Sequence, residues 1–325
     1  MTKYVVSGYI GFDNFGDEAI ANVLISHLKK NGAEKITVIS SNPEKTSANY
    51  GVESVGMLKF LSVVKDSDVL ISGGGSLLQD VTSLKSLIYY LGIIYYALAL
   101  GKKVIIFAQG FTPFRTKIGE FFTKFVLKRC SKISVRDKKS QQMLQEMGIK
   151  SELVADPIFG VEMPVQEKEN AIGIQLRSYP TINDDFLEKL ADKIKEKFSD
   201  KEIRLFSFQD SLDLEILKTL AIKLKQRGLE SKIYQKLSVE EVLCEIPKLE
   251  TLIAMRFHAL LVGAKSKTKL LGINYDIKVE SLSKAVGFPC IDINQEDLNE
   301  EFEKLLNLDT QKYNILEFNF PNIQF

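Results

Sequence analysis

Arg177, Arg256 and His258 are the residues whose types and positions most directly point to chemistry. GIQLRSY (residues 173–179) closes an apolar run with Arg177, and AMRFHALLVG (residues 254–263) sets Arg256 and His258 between an apolar run and a helical pattern. Arginine offers a planar fork matched to phosphate or carboxylate, and histidine donates to a phosphate oxygen or moves a proton near neutral pH. Two such cations, joined by one of only two histidines in the chain, suit a small substrate with two or three negative charges. The competing reading is structural pairing of the arginines with Asp or Glu. The other histidine, His27, falls among polar neighbours on a helical pattern and reads as a helix-surface residue.

A second group is glycine-rich and acidic. GYIGFDNFGDEAI (residues 8–20) packs glycines and three acids between two apolar runs. Asp13, Asp17 and Glu18 would repel a phosphate, whereas glycines with carboxylates suit a polyol, whose hydroxyls donate to carboxylate oxygens. Equally, Asp17 and Glu18 complement the dipole of a helix starting there, with Asn14 or Asp13 as its cap. ISGGGSLLQD (residues 71–80) ends another apolar run in three glycines. Gly74 and Gly75 let backbone amides approach a ligand, or let a strand and a helix pack closely. Gln79 and Asp80 are polar groups entering an apolar helix, and FAQGFTPF (residues 107–114) repeats the form with Gln109 and Gly110.

These motifs sit at the ends of short β-branched runs, each followed by a helical pattern. YVVSGYI, ITVISS, VLISGG, KVIIFAQG and KISVRD read as strands, and SNPEKTSANYGV as a turn-rich connection. The pattern restarts near residue 171, after the polar seam VEMPVQEKEN. Alternating strands and helices predict parallel sheets covered on both faces. The expected division is an amino-terminal domain over 1–160, a carboxyl-terminal domain over 161–305, and a tail over 306–325 that either returns to the first domain or contacts another subunit. Two doubly wound domains place the carboxyl ends of both sheets at a shared cleft, where such folds bind ligands.

Composition narrows the function classes. The 43 basic and 42 acidic side chains leave a formal charge of +1, so nucleic acid is not an expected partner. Three scattered cysteines and two histidines offer no metal-ligand spacing, and reduced thiols fit a cytoplasmic setting. SLIYYLGIIYYALAL (residues 86–100) is shorter than the ~20 residues of a membrane span and reads as a buried core helix. TKIGEFFTKFVLKRCSK (residues 116–132) mixes cations with phenylalanines, either as a helix packed on the sheet or as a peripheral membrane contact.

Taken together, the opening loop, DVLISGGGSLLQD, SVRDKKSQQMLQEMGI with ADPIF, GIQLRSY, and MRFHALLVGA followed by GINYDIKV resemble the polysaccharide pyruvyl transferases, over roughly residues 4–290. The bacterial type that modifies a secondary cell-wall polymer for S-layer anchoring is the most similar. Phe257 stands where leucine is commoner, and Tyr179 where tryptophan is usual. The resemblance implies a GT-B-like α/β fold of two Rossmann-type domains facing a cleft. It implies phosphoenolpyruvate as donor, no further cofactor, and an N-acetylmannosamine unit on a lipid-linked disaccharide at the inner membrane face as acceptor. Donor residues of the family carry onto Arg177, Arg256 and His258, with Lys278 beside them. His258 is then the candidate general acid, and Asp13, Asp17 or Asp80 the carboxylate that accepts a hydroxyl proton. Asn14, Asp17, Glu18, Gly74, Gly75, Gln79, Asp80 and Gln109 fall on the acceptor side. The alternative is a GT-B glycosyltransferase that uses a nucleotide sugar.

Overall fold

A computed structural model describes residues 2–81, 83–315, 319–321 and 323. The chain divides into two compact units, Met1–Val161 with Glu317–Phe325, and Glu162–Leu316. Each unit is a parallel sheet covered by helices.

In the first unit the strands are β1 (Lys3–Ser7), β2 (Lys35–Ser40), β3 (Glu53–Gly56), β4 (Val69–Gly73), β5 (Lys103–Gln109), β6 (Lys132–Val135) and β7 (Glu152–Leu153). They lie in the order β3-β2-β1-β4-β5-β6-β7, all parallel. The helices are α1 (Phe15–Lys30), α2 (Pro43–Tyr50), α3 (Phe60–Lys65), α4 (Leu84–Ala99), α5 (Lys117–Leu127) and α6 (Lys138–Glu146). Right-handed crossovers put α1 and α2 over one face and α3 to α6 over the other. The strand interiors are continuous apolar runs because both faces are covered: Val5, Val6, Leu70, Ile71, Val104, Ile105 and Ile106 are all buried.

The second unit repeats this plan. Its strands are β8 (Glu169–Gln175), β9 (Glu202–Phe206), β10 (Ser231–Tyr234), β11 (Leu249–Ala254), β12 (Lys269–Asn274) and β13 (Cys290–Asp292), in the order β10-β9-β8-β11-β12-β13. Its helices are α7 (Asp184–Phe198), α8 (Asp210–Gln226), α9 (Val239–Glu245), α10 (Phe257–Lys265), α11 (Ile277–Val286) and α12 (Asn299–Leu306). The sheet order reverses between β1 and β4 in the first unit and between β8 and β11 in the second. Loops at the carboxyl ends of strands flanking such a reversal are where this architecture binds ligands.

Three local expectations change. Residues 43–50 are helical rather than turn-rich: Asn42 caps the amide of Lys45, Pro43 opens the first turn, and Gly51 closes the helix at φ 58°. Helix α4 is buried on one face only; Leu87, Tyr90, Leu91, Ile93, Ile94 and Ala97 point inward, while Leu84, Ile88 and Tyr95 are exposed. Among the described residues no helix is long and apolar enough to cross a membrane. His27 does not stand free on its helix: its ring stacks on Phe320, centroids 3.4 Å apart. The stretch after residue 306 runs with the second unit as far as Tyr313, whose hydroxyl donates to Thr268 O and accepts from Leu270 N, both at 3.0 Å, while Phe320 belongs with the first unit and stacks on His27 and Phe107. Residues 316–318, 322, 324 and 325 of the expected tail lie outside the described residues.

Gly74 fits only as glycine: its φ is +67°, and a Cβ added there would fall 2.2 Å from Ile20 Cγ2 of α1. Gly74→Ala combines a left-handed backbone with overpacking against that helix. We expect a loss of about 1–3 kcal/mol, read as a lower urea midpoint at unchanged m-value.

Candidate active site

The polar groups of the second unit gather at the carboxyl ends of β8, β11 and β12. Arg256, the residue before α10, is buried, and its Nε donates to both oxygens of Asp213 at 3.1 and 2.9 Å. Its Nη2 donates to Asp213 Oδ1 at 2.6 Å and to Gln209 Oε1 at 3.3 Å. Asp213, fully buried on α8, also accepts from the amides of Phe208 and Gln209 and from Gln175 Nε2. Gln175 Oε1 in turn accepts from the Arg256 amide at 2.8 Å. The structural pairing weighed for the arginines is therefore realised on one edge of Arg256, which is no freely turning anion fork.

Arg177 differs. Its guanidinium lies 5.4 Å from the centre of the Tyr275 ring, while its Nε is buried with no hydrogen-bond partner among the described residues. Burial raises the Tyr275 hydroxyl above its ordinary pKa, and Arg177 and Arg256 both act to lower it. Tyr179 meets Tyr275 edge-on at 5.2 Å. His258 is half-buried in the first turn of α10, its ring edge-on to Phe257. Lys278 is half-buried in the first turn of α11, its amide capped by Asp276 at 2.9 Å. Two helix amino termini thus open beside two arginines, a setting that favours anions.

In the first unit the acids divide into different tasks. Asn14 caps α1 through the Gly16 amide, and Asp13, held at φ 57°, pairs with Lys45 at 2.7 Å on the surface. Glu18 is turned away from solvent: it accepts from the Gly11 amide at 2.7 Å and from the Tyr50 hydroxyl. Burial raises its carboxyl above the ordinary range despite those donors. Asp80 accepts from the amides of Arg115 and Thr116 and from the Thr116 hydroxyl, at 2.6–2.8 Å. Burial acts to raise this carboxyl, but the three donors outweigh it and hold it below the usual range. Glu18 and Asp80 thus each hold a loop through their carboxyl groups. Gln79 similarly turns its Oε1 back to the Val81 amide at 3.1 Å.

Asp17 sits instead against the triple-glycine turn. A Cβ on Gly75 would fall 2.4 Å from Asp17 Oδ1, so glycine is required for this approach. Gly110 N donates to Gly75 O at 2.8 Å, joining the two glycine turns. Gln109 beside it is fully buried, and neither of its amide atoms has a partner among the described residues. The preceding Ala108 carries φ 45° at a break in β5–β6 register.

Several residues of these rims escaped the sequence reading. Arg136 pairs with Asp156 at 2.7 Å, both nearly inaccessible, and reaches Ser76 Oγ at 3.3 Å. Asp213 had one legible sign: it shares the inward stripe of α8 with Ile216, Leu217, Leu220 and Leu224, where an acid needs a buried partner. Tyr275 carried none.

A model of polysaccharide pyruvyl transferases matches residues 14–277. The chain belongs to the polysaccharide pyruvyl transferase family. It is thereby an enzyme, a transferase acting in pyruvyl transfer onto polysaccharide. Among curated proteins none matches it. Solved structures similar to this family member include the UDP-GlcNAc 2-epimerase of Methanocaldococcus jannaschii, at TM-score 0.66 and 13% identity over 98% of this chain and 96% of that one. A glycosyltransferase from Rickettsia africae aligns at TM-score 0.61 and 14% identity, over 94% and 88%. The Anabaena protein HepE, solved with UDP and glucose, aligns at 0.61 and 10%, over 95% and 91%. These likenesses establish the fold as GT-B-like, two parallel-sheet α/β domains.

Removing one partner of the buried pair tests its role. Asp213→Ala leaves the Arg256 charge and the two loop amides unmatched, and we expect a loss of about 3–5 kcal/mol in chemical denaturation.

Proposed function

We propose that this protein transfers the pyruvyl group of phosphoenolpyruvate to a sugar of a cell-wall or surface polysaccharide precursor, forming a cyclic ketal and releasing phosphate. The observation that carries this reading is the cationic cluster of Arg177 and Arg256 about Tyr275, in a chain of this family. We assign an N-acetylmannosamine unit on a lipid-linked disaccharide as acceptor, the substrate of the S-layer-anchoring type that the motifs resemble.

Phosphoenolpyruvate carries a phosphate and a carboxylate. Arg177, with its unpartnered buried Nε, takes one of these groups, and the amino termini of α10 and α11 with Lys278 receive the other. Arg256, oriented by Asp213, contributes fixed positive charge rather than a mobile fork. In the reaction a proton is added to the methylene carbon, and the cationic C2 is attacked by one sugar hydroxyl. A second hydroxyl then displaces phosphate. Two C–O bonds form and the C2–O bond to phosphate breaks; of the two hydroxyl protons lost, one balances the new methyl hydrogen and the other leaves on phosphate. We assign His258 to the proton delivery or to the departing phosphate. Asp17, which lies against the triple-glycine turn, is the carboxylate we assign to a hydroxyl proton. The buried, unpartnered amide of Gln109 is a second group that a sugar hydroxyl would complete.

The likeness to enzymes of UDP-sugars favours a second reading, a glycosyltransferase with a nucleotide-sugar donor. A ligand bound only by the folded state raises the melting temperature. The donor reading expects stabilisation by phosphoenolpyruvate, phosphate release with a panel of lipid-linked or synthetic sugar acceptors, and a product heavier by one ketal-linked pyruvyl group. Stabilisation and turnover with UDP-sugars alone would replace it.

Two substitutions separate the roles. Arg177→Met should raise KM for phosphoenolpyruvate about 10- to 100-fold, the value of a charge-assisted hydrogen bond; an unchanged KM removes Arg177 from the donor site. For His258→Asn we expect kcat to fall about 10²- to 10⁴-fold if the imidazole moves the proton. A raised KM at wild-type kcat would leave it as a phosphate contact.

A further inference from the structure

The outer surface of α3, α4 and α5 combines two properties that a sheet-covering layer does not need. Among the described residues, ten of the fifteen exposed large apolar side chains belong to these helices and their immediate flanks. Leu58 is 89% exposed, Ile118 64%, Phe121 63%, Ile88 58%, and Phe122 and Tyr95 51% each. They form one surface. Phe60 of α3 packs edge-on against Tyr89 and Tyr96 of α4, and Tyr95 of α4 lies 6.3 Å from Phe125 of α5. Gly119 lets α5 approach α4 closely, because a Cβ there would fall 3.1 Å from Leu87 Cδ2.

The second property is charge. Segments 57–65, 84–100 and 115–129, which make up this surface, hold eight lysines and arginines and one acid, Glu120, in a chain with nearly equal numbers of each sign. Lys85, Lys117 and Lys128 are exposed, and the Arg129 guanidinium lies 3.7 Å over the Phe125 ring. A two-fold contact between copies would set the same cations against each other. Aromatic side chains ringed by lysines instead match the boundary of a bilayer whose headgroups are anionic.

We propose that this face docks on an anionic lipid bilayer, with the phenylalanines and Tyr95 entering the headgroup layer and the lysines and arginines meeting lipid phosphates. The face lies on the surface without crossing it, and the proposal stands apart from the assignment of donor and acceptor.

The full chain is sedimented with vesicles of phosphatidylcholine alone and of phosphatidylcholine mixed with phosphatidylglycerol. We expect it to pellet with the mixed vesicles, to be released as salt rises, and to bind the neutral vesicles far more weakly. Each cation near such a surface is worth about fivefold in partitioning, so Lys117→Glu with Lys128→Glu should lower it at least about 25-fold. Phe121→Ser with Phe122→Ser should lower it at least about tenfold. Both pairs alter exposed positions, and each variant is accepted only with a wild-type melting temperature. Wild-type protein that stays in the supernatant overturns the proposal, as does equal binding to both vesicle types. So does a dimer that Phe121→Ser dissociates while vesicle binding is untouched, which would assign the face to a second copy.

Discussion

The buried pairing of Arg256 with Asp213 is the constraint on which the rim of the second unit depends. Asp213 draws the ends of three strands together: it receives the side chain of Arg256 after β11, the amides of Phe208 and Gln209 after β9, and Gln175 Nε2 at the end of β8. A carboxylate met by this many donors is costly to desolvate alone and favourable only as a complete network. What is given up is flexibility: Arg256 holds its place because one edge of its fork is occupied by Asp213. Its charge is thereby fixed in place rather than free to turn. Arg177, whose guanidinium lies over the Tyr275 ring, keeps a buried Nε without a partner among the described residues. The two arginines are alike in sequence and unlike in task.

The first unit uses the same device with different partners. Asp80 gathers the backbone of Arg115 and Thr116, Glu18 ties Gly11 to Tyr50, and Asp156 fixes Arg136 beneath the glycine turns. In each case a buried charge or carboxyl satisfies amides that a tight loop cannot pair with other backbone. The glycines then bring those loops close. Gly11 is packed against Ser40 and Asn42, Gly74 against Ile20, and Gly75 against Asp17. Of the three acids in the opening motif only Asp17 is left against the triple-glycine turn.

Much of this was legible because periodicity is a property of single segments. Apolar runs ending in glycine or arginine, each followed by a helical stripe, predicted two parallel α/β domains, and the strand orders of both units follow that plan. The strand-end location of Arg177, Arg256, His258, Asp17 and the glycine turns came with it. What was not legible is pairing across distance. Asp213 lies 43 positions from Arg256, and Asp80 is separated by 35 and 36 from its donors. Nothing in one sequence says which buried acid meets which donor, so neither the pairing of Asp213 with Arg256 nor the loop donors of Asp80 and Glu18 were legible. The outward stripe of α4 failed for a related reason. Uniform hydrophobicity does not mark which face of a helix the sheet covers.

Local rules fail in a few places among the described residues, and two of them lie at the carboxyl ends of strands. Ala108 holds a left-handed backbone without being glycine, directly before Gln109, whose buried amide goes unmatched. Arg177 keeps a buried Nε without a partner at the end of β8. A rotatable hydroxyl left unpaired, such as that of Thr123, loses little, whereas an amide or guanidinium forfeits several strong bonds. A fold that satisfies Asp80, Asp156 and Asp213 so fully has the means to satisfy these groups as well. Each unit thus keeps, at the end of one of its strands, a buried polar group held in place by packing and unmatched among the described residues.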